Sequence, residues 1–510
     1  MNSKIKIRSA LVSVFDKKGI EPIIKEFERK KIIIYSTGGT GNYIKKLGVK
    51  FIPIEDITSY PSILGGRVKT LHPKVFGGIL NRKNKKEDQK ELLDYEIPQI
   101  DLVIVDLYPF EETVRTTKNE REIIEKIDIG GISLIRAAAK NFNNVLCISD
   151  KSDYGDLLYL LKHQEAKTNI ETRKKFATKA FDISSNYDTA IFNFFNSNNI
   201  INSLKISSAS SFPLRYGENP HQKADFYGDL KKVISQIHGK QLSYNNLLDI
   251  DNAINLISEF KTAKPTFAIL KHNNACGIST KKNLSLAYKS ALMSDPISAF
   301  GGVLVCNTEV DLKTAKLLRK LFFEVLIAPK FNKNALEILK EKKNLIILKN
   351  TISKKEKLNY RSCLNGILVQ QNDFKTDSKK NLKFVTQEIP NQKEIDDLIF
   401  ASKICKHTKS NTIVLVKNFQ LLGSGMGQSS RVNALENAIK KAKGFGFNLK
   451  NAVMASDAFF PFPDCVEIAN KEGIKCVIQP GGSIKDNLSI DYCNKQKMKM
   501  VFTGIRHFKH

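Results

Sequence analysis

Short apolar runs alternate with amphipathic stretches through residues 1–150, and this alternation limits the fold more than any other feature of the chain. Residues 7–15 read as a strand. Residues 19–30 carry Ile20, Ile23, Ile24 and Phe27 at helical spacing. KIIIY (31–35) is a buried strand, followed by STGGTG and a helix through Leu47. DLVIVDLY (101–108) is a strand stopped by Pro109, GISLIRAAAKN (131–141) a helix, and residues 145–149 a further strand. Strand and helix in regular alternation imply a doubly wound parallel sheet covered on both faces.

Residues 151–196 read as mainly helical, and the Asn- and Ser-rich stretch 197–211 has little periodicity. The expected division is therefore a domain at 1–196, a linker at 197–211 and a second α/β domain at 212–510. In the second half, strand-like runs fall at 266–271, 302–306, 325–328, 412–417, 452–455, 475–478 and 499–502, with helical stretches between. A break near 355–400 suggests two subdomains. The likeness of ALMSDPISAF to AVMASDAFFPF suggests that they are duplicates.

Composition narrows the class. Hydrophobic residues at 42% and charged residues at 26% fit a soluble globular chain rather than a disordered one. No apolar run spans a bilayer. The N-terminal apolar stretch runs into Asp16 without a small-residue cleavage site, so a cytoplasmic protein is expected. Eight cysteines are scattered without a C-x-x-C pair, which argues for reduced core thiols and no structural metal. The net charge of +29 raises nucleic-acid binding. Yet the excess is Lys spread along the chain beside abundant Asn and Ile, as AT-rich codons would produce. Runs such as RKNKK (82–86) and KKEK (354–357) read as solvated loops. No nucleic-acid or membrane partner is expected. A zinc nucleobase deaminase would need H-x-E with P-C-x-x-C, and no such pair occurs.

Two loops in the first half suit phosphate. SVFDKKG (13–19) and STGGT (36–40) each join a strand to a helix, leaving helix N-terminal N–H groups for an anion. Ser13, Lys17, Ser36, Thr37, Gly38 and Thr40 are the candidates there. LGGRVKTLHPKVFGG (64–78) places Arg67, Lys69, Thr70 and His72 between glycine pairs, which reads as a loop approaching a ligand. Tyr108 ends a strand, where doubly wound sheets bind ligands. Asp128 precedes a helix, and Lys140 lies near that helix's far end.

The motifs RVKTLHP, DLYPF, IDIGG and RAAAKN, in this order, resemble the cyclohydrolase domain of the bifunctional AICAR transformylase/IMP cyclohydrolase family of purine synthesis. That resemblance implies a methylglyoxal-synthase-like domain. It makes Lys69, Tyr108, Asp128 and Lys140 catalytic, with Arg67, Thr70, Ser13, Lys17 and the 36–40 loop around the nucleotide phosphate. Two positions depart from the family pattern. Asp106 stands where Asn is usual, which would change a hydrogen bond near the ring. Phe15 stands where Ser is usual and removes a hydroxyl from the phosphate loop.

The second half carries RYGENPHQ (215–222) and KHNNACG (271–277). A Lys–His pair at a strand end suits proton transfer, because histidine titrates near neutrality. SDPISAFGG, KSNTIVL, GSGMGQSSR, SDAFFPF, QPGGS and FTGIRHFKH follow, and together resemble the family's transformylase domain. By that resemblance the domain is a larger α/β unit of two cytidine-deaminase-like subdomains, with Lys271 and His272 as the catalytic pair. Arg215, Tyr216, Asn273, Asn411, Arg431, Phe460, Arg506 and His510 would line the nucleotide or folate sites. Ala275 replaces the family's Pro and is expected to loosen the turn. The implied substrates are AICAR, its formamido product FAICAR and 10-formyltetrahydrofolate as co-substrate. No metal is required, and the implied assembly is a homodimer.

Overall fold

The structure, a computed structural model, describes residues 4–208, 210–351 and 357–510. Residues 1–3, Ala209 in the expected linker and 354–356 of the KKEK run lie outside the described residues. The chain divides into two compact units, Met1–Ala209 and Ser210–His510.

In the first unit, β1 (Ser9–Ser13), β2 (Ile33–Ser36), β3 (Ile52–Pro53), β4 (Leu102–Val105) and β5 (Leu146–Ile148) form one parallel sheet. Its order is β3-β2-β1-β4-β5. Both faces are covered, so β4 and β5 are apolar and buried throughout rather than alternating. Helix α1 (Glu21–Arg29) turns Ile23, Ile24 and Phe27 onto the sheet; Pro22 sits in its first turn and Arg29 in its last. Among the further helices of this unit are α2 (Gly38–Lys46), α3 (Pro73–Leu80), α4 (Phe110–Thr116), α5 (Gly130–Lys140) and α6 (Ile170–Phe195).

The expected strands at 7–15 and 101–108 are each shorter than their apolar runs, because the chain leaves the sheet early to build loops at its carboxyl edge. The segment 64–78 is not one loop. A short 3₁₀ turn at Leu64–Gly66 leads to Thr70, and α3 starts at Pro73, with the His72 ring Nδ1 accepting the Lys74 N–H as its cap.

The second unit is built twice from the same plan. The first copy runs β6 (Ile234–His238), α7 (Tyr244–Ser258), β7 (Thr266–Lys271), β8 (Asn274–Thr280), α8 (Leu284–Ser294), β9 (Val303–Cys306), α9 (Leu312–Leu318), β10 (Val325–Ala328), α10 (Lys333–Lys340) and β11 (Ile346–Asn350). The second runs β12 (Lys383–Phe384), α11 (Gln392–Lys406), β13 (Ile413–Val416), β14 (Leu421–Gly425), α12 (Arg431–Gly444), β15 (Val453–Ser456), α13 (Asp464–Lys471), β16 (Cys476–Gln479), α14 (Asp486–Lys495) and β17 (Lys499–Phe502). The sheets are ordered β6-β11-β10-β9-β7-β8 and β12-β17-β16-β15-β13-β14, with parallel and antiparallel pairs in matching places.

The duplication is therefore present, with the copies parting between Asn350 and Lys383, so the break expected near 355–400 runs on into β12 and the first half of α11. The two motifs that suggest it are not counterparts, however. SDPISAF precedes β9, whereas SDAFFPF follows the equivalent strand β15. A single apolar core takes in α7, α11 and both sheets. Tight glycines let the outer helices approach. A Cβ on Gly277 would lie 2.0 Å from the Ala291 carbonyl in α8, and one on Gly425 1.8 Å from the Ala434 carbonyl in α12.

Seven of the eight cysteines are buried thiols, and Cys363 is exposed. Among the described residues no helix is long and apolar enough to cross a membrane.

Candidate active sites

In the first unit the strand order reverses direction between β1 and β4, the usual ligand crevice of an open α/β sheet. The loops leaving these strands are tied together there. The Asp106 carboxylate accepts the backbone N–H groups of Phe15 and Asp16, the latter at 2.9 Å. Burial pushes this carboxyl above its usual range, partly offset by those two N–H bonds. The Asp at this position thus fastens the 13–19 loop through both oxygens.

Beside that crevice lies the N-terminus of α2, whose N-cap Thr37 makes no side-chain cap bond. Two ammonium groups converge on it. A Cβ built on Gly38 would lie 3.6 Å from Lys69 Nζ, and one on Gly39 3.8 Å from Lys17 Nζ. The Ser13 and Thr37 hydroxyls meet at 3.0 Å. Helix N-terminal N–H groups, two cations and two hydroxyls make an anion cradle. Ser36 and Thr40 act differently from the expectation that they line it. Ser36 Oγ donates to the Val12 carbonyl at 2.8 Å, and Thr40 Oγ1 bonds both the N–H and the carbonyl of Val14. They hold the two loops in register. Arg67 pairs with Glu125 on the surface.

Tyr108 and Asp128 form the next layer. Asp128 Oδ1 accepts the Gly131 N–H at 2.6 Å, and its own N–H donates to the Tyr187 hydroxyl at 2.7 Å. Burial raises the Asp128 carboxyl above its ordinary range, against the pull of the Gly131 and Tyr108 backbone N–H groups. Burial also raises the Tyr108 phenol, with the Asp128 and Asp106 carboxylates adding to it. Thr70 stands close to the start of α5; a Cβ on Gly130 would lie 3.2 Å from its hydroxyl. Phe15 packs edge-on to Tyr108 at 5.3 Å, and Lys126 Nζ lies 5.6 Å from the Tyr108 ring centre. Lys126 carried no signal in the sequence, because its partners come from two distant loops.

Lys140 does not join this cluster within the chain. It is the exposed last residue of α5, an 11-residue helix, about 15 Å along the axis from Gly130. The neighbouring Asn141 amide bonds the Ile79 and Asn81 carbonyls, which places this end of α5 beside the far end of α3.

In the second unit β7 and β8 form a tight hairpin whose two turn residues are His272 and Asn273. Both have left-handed backbone, at φ 49° and 65°. His272 is thereby thrust into solvent, while the Lys271 ammonium donates to the Phe300 carbonyl at 2.7 Å, tying the hairpin to the SDPISAF loop. Ala275 sits in β8 opposite Leu270, just beyond the two turn residues. Asn274 Oδ1 accepts the Lys409 N–H at 3.2 Å, which brings the KSNT segment alongside. The Asn411 amide donates to the Gln428 carbonyl at 2.9 Å, drawing in GSGMGQSSR.

Several candidates here carry buried polar atoms with no hydrogen-bond partner among the described residues: Arg215 Nε, Asn273 Oδ1, Arg431 Nε and Nη2, and both Asp457 oxygens. Arg431 lies 3.7 Å from Asp457. Burial lowers the guanidinium pKa, the Asp457 charge resisting. Arg215 stacks over Tyr216 at 4.7 Å and bonds its hydroxyl at 2.8 Å. Arg506 lies 4.3 Å from the Phe508 ring centre, and Phe508 packs at 5.6 Å against exposed His510.

Phe460 is not a lining residue. It is fully buried in the core of the second copy, while Phe462 of the same motif is 50% exposed with Lys485 Nζ 4.5 Å from its ring centre. A cleft of about 590 Å³ runs between Ser298 and Met426, and neither Lys271 nor His272 lines it. Among the described residues no group of three or more His, Cys, Asp or Glu side chains could hold a metal ion.

Comparison with known proteins identifies the family. The model of the MGS-like domain matches residues 19–133, and that of the AICARFT/IMPCHase bienzyme residues 138–441. A protein of Bacteroides thetaiotaomicron named bifunctional purine biosynthesis protein PurH is 54% identical over 510 residues, covering 100% of both chains. Proteins of the same name from Caldicellulosiruptor saccharolyticus and Persephonella marina are each 46% identical, covering 99% of this chain and 100% of their own. The chain belongs to the AICARFT/IMPCHase bienzyme family.

Proposed function

We infer that this protein carries out the last two steps of purine nucleotide synthesis, formyl transfer to AICAR and dehydrative closure of FAICAR to IMP, at two separate sites. The formyl donor is 10-formyltetrahydrofolate. The observation that carries the site assignment is that Asn273, beside His272 in the hairpin turn, and the motif arginines Arg215 and Arg431 all carry buried polar atoms without hydrogen-bond partners among the described residues. Buried polar groups are nearly always satisfied, so such a set marks a surface built for a polar ligand.

In the first reaction the AICAR 5-amino nitrogen attacks the formyl carbon. Its lone pair is delocalised, so the attack needs the amine proton removed. Exposed His272 takes that proton as general base, and Lys271 steadies the oxyanion on the formyl carbon. The C–N bond to the folate nitrogen then breaks, and that nitrogen leaves protonated. The nucleotide phosphate and carboxamide fall to the arginine and asparagine side chains.

In the second reaction the carboxamide nitrogen attacks the same formyl carbon, and water leaves. The phosphate rests on the start of α2 with Lys17, Ser13 and Thr37. Asp128 and Tyr108, both with raised pKa, exchange protons with the ring-closing atoms, while Lys69 meets the developing negative charge. The active form is a cytoplasmic homodimer. Exposed apolar residues near the transformylase motifs, including Ile297, Phe300 and Phe322, offer it a surface.

The test is a coupled assay with the purified protein, AICAR and 10-formyltetrahydrofolate. IMP is the expected product. Accumulation of FAICAR without IMP would remove the cyclohydrolase assignment, and consumption of neither substrate would remove the formyl-transfer assignment.

A further inference from the structure

The two copies of the second unit contain the same hairpin. His272 and Asn273 correspond to Asn418 and Phe419, which also have left-handed backbone, each at φ 55°. Two consecutive left-handed residues suit Asn-Gly, not His-Asn or Asn-Phe, so such a turn must be held from outside. In both copies the holder is an aspartate at the same position of the equivalent helix. Asp397 of α11 accepts the N–H of Asn418 at 2.8 Å and of Phe419 at 2.7 Å. Asp249 of α7 accepts the N–H of Asn273 at 2.6 Å.

The copies differ one helical turn further on. The second has Phe400, whose ring packs edge-on to Phe419 at 5.9 Å. The first has Asn252, whose amide donates to the Asn273 carbonyl. Its amide oxygen accepts from the Lys509 ammonium in the C-terminal tail. An ammonium can only donate, so Lys509 fixes which way the Asn252 amide faces. Asn273 is thus gripped at its N–H by Asp249 and at its carbonyl by Asn252, and its own side-chain oxygen is left without a partner among the described residues. Beyond its aspartate, the turn of the second copy is backed by an apolar contact. A second polar grip, on the carbonyl, occurs where His272 is presented.

We propose that Asp249 and Asn252 are positioning residues for formyl transfer, holding the His272–Asn273 turn in the conformation that aims His272 at the substrate amine, with Lys509 orienting Asn252. This rests on the reading of His272 as the base.

The test uses the full-length protein, with both reactions and the thermal midpoint measured on each preparation. Asn252→Ala and Asp249→Ala are expected to lower kcat for formyl transfer by about 10–100-fold, as a misplaced base does. KM for AICAR and the rate of FAICAR closure should stay near normal. Asp249→Asn keeps an oxygen to accept the Asn273 N–H and should recover most of the rate. Asp397→Ala should lower the thermal midpoint, as Asp249→Ala does, yet leave formyl-transfer kcat unchanged. The proposal is overturned if Asn252→Ala and Asp249→Ala lose no more kcat than Asp397→Ala, or if Asp249→Asn is no better than Asp249→Ala. His272→Ala is run alongside. If that variant retains formyl transfer, the reading of the base fails, and with it the basis of the proposal.

Discussion

Glu259 and His407 occupy the same position in the two copies of the second unit, just past the ends of α7 and α11, and they hydrogen-bond to each other at 3.1 Å. The contact joins the copies through their point of correspondence. Lys406 and Thr376 also donate to the Glu259 carboxylate, at 2.8 and 2.6 Å. Burial would raise the Glu259 pKa, but the bonds from His407, Lys406 and Thr376 outweigh it and hold the carboxylate below its usual range. Burial drives His407 down to about 4 from 6.5, against the bond to Glu259.

This pair makes stability sensitive to mild acid. A group with a depressed folded pKa contributes fully above its unfolded value and loses that contribution as pH falls through the folded one. For His407 the window runs from 6.5 down to about 4, and Glu259 adds a further loss below 4.5. The thermal midpoint should therefore fall between pH 6.5 and 5, and His407→Gln should flatten that slope. A midpoint constant down to pH 5 in the unaltered protein would contradict the assignment.

The two reactions should separate by mutation. His272→Ala is expected to slow formyl transfer by about 10²–10⁴-fold, the usual loss on removing a general base. FAICAR closure should be left near normal. Lys69→Ala should do the reverse, slowing closure by about 10²–10³-fold through loss of a charge-stabilising donor. Assaying each step separately in both variants decides this. Loss of both activities in a folded His272→Ala protein would rule out independent sites.

Phe460 and Phe462 should respond oppositely to truncation. Phe460→Ala empties a fully buried position and should cost about 3–5 kcal/mol, read as a lower denaturation midpoint. Phe462→Ala acts at an exposed ring and should stay within about 0.5 kcal/mol. Equal losses would contradict the placement of Phe460 in the core.

Gly425 has no room for a methyl group. Gly425→Ala sets its Cβ against the Ala434 backbone carbonyl, which cannot move without shifting α12, so a loss of about 1–3 kcal/mol is expected. A chemical-denaturation curve unchanged from the parent would show that the helix is not packed this closely.

The sequence by itself determined the strand and helix types, the parallel sheet of the first unit and the family. These rest on local periodicity and on motifs whose residues are neighbours in the chain, such as Lys271 with His272. It also pointed to duplication, though through the wrong pair of segments. SDPISAF and SDAFFPF share residues but flank opposite ends of equivalent strands, whereas the true counterparts, His272–Asn273 and Asn418–Phe419, share conformation and almost no chemistry. Only tertiary structure decided which candidates meet. Ser36 and Thr40 spend their hydroxyls on β1 and its following loop, and Phe460 faces inward while Phe462 does not. Lys140 ends a helix whose other end borders the site. The grip of Asp249 and Asn252 on the His272 turn had no signal in the sequence. A hydrogen bond to a backbone N–H or carbonyl depends on where the fold carries that backbone, not on the side chain attached to it.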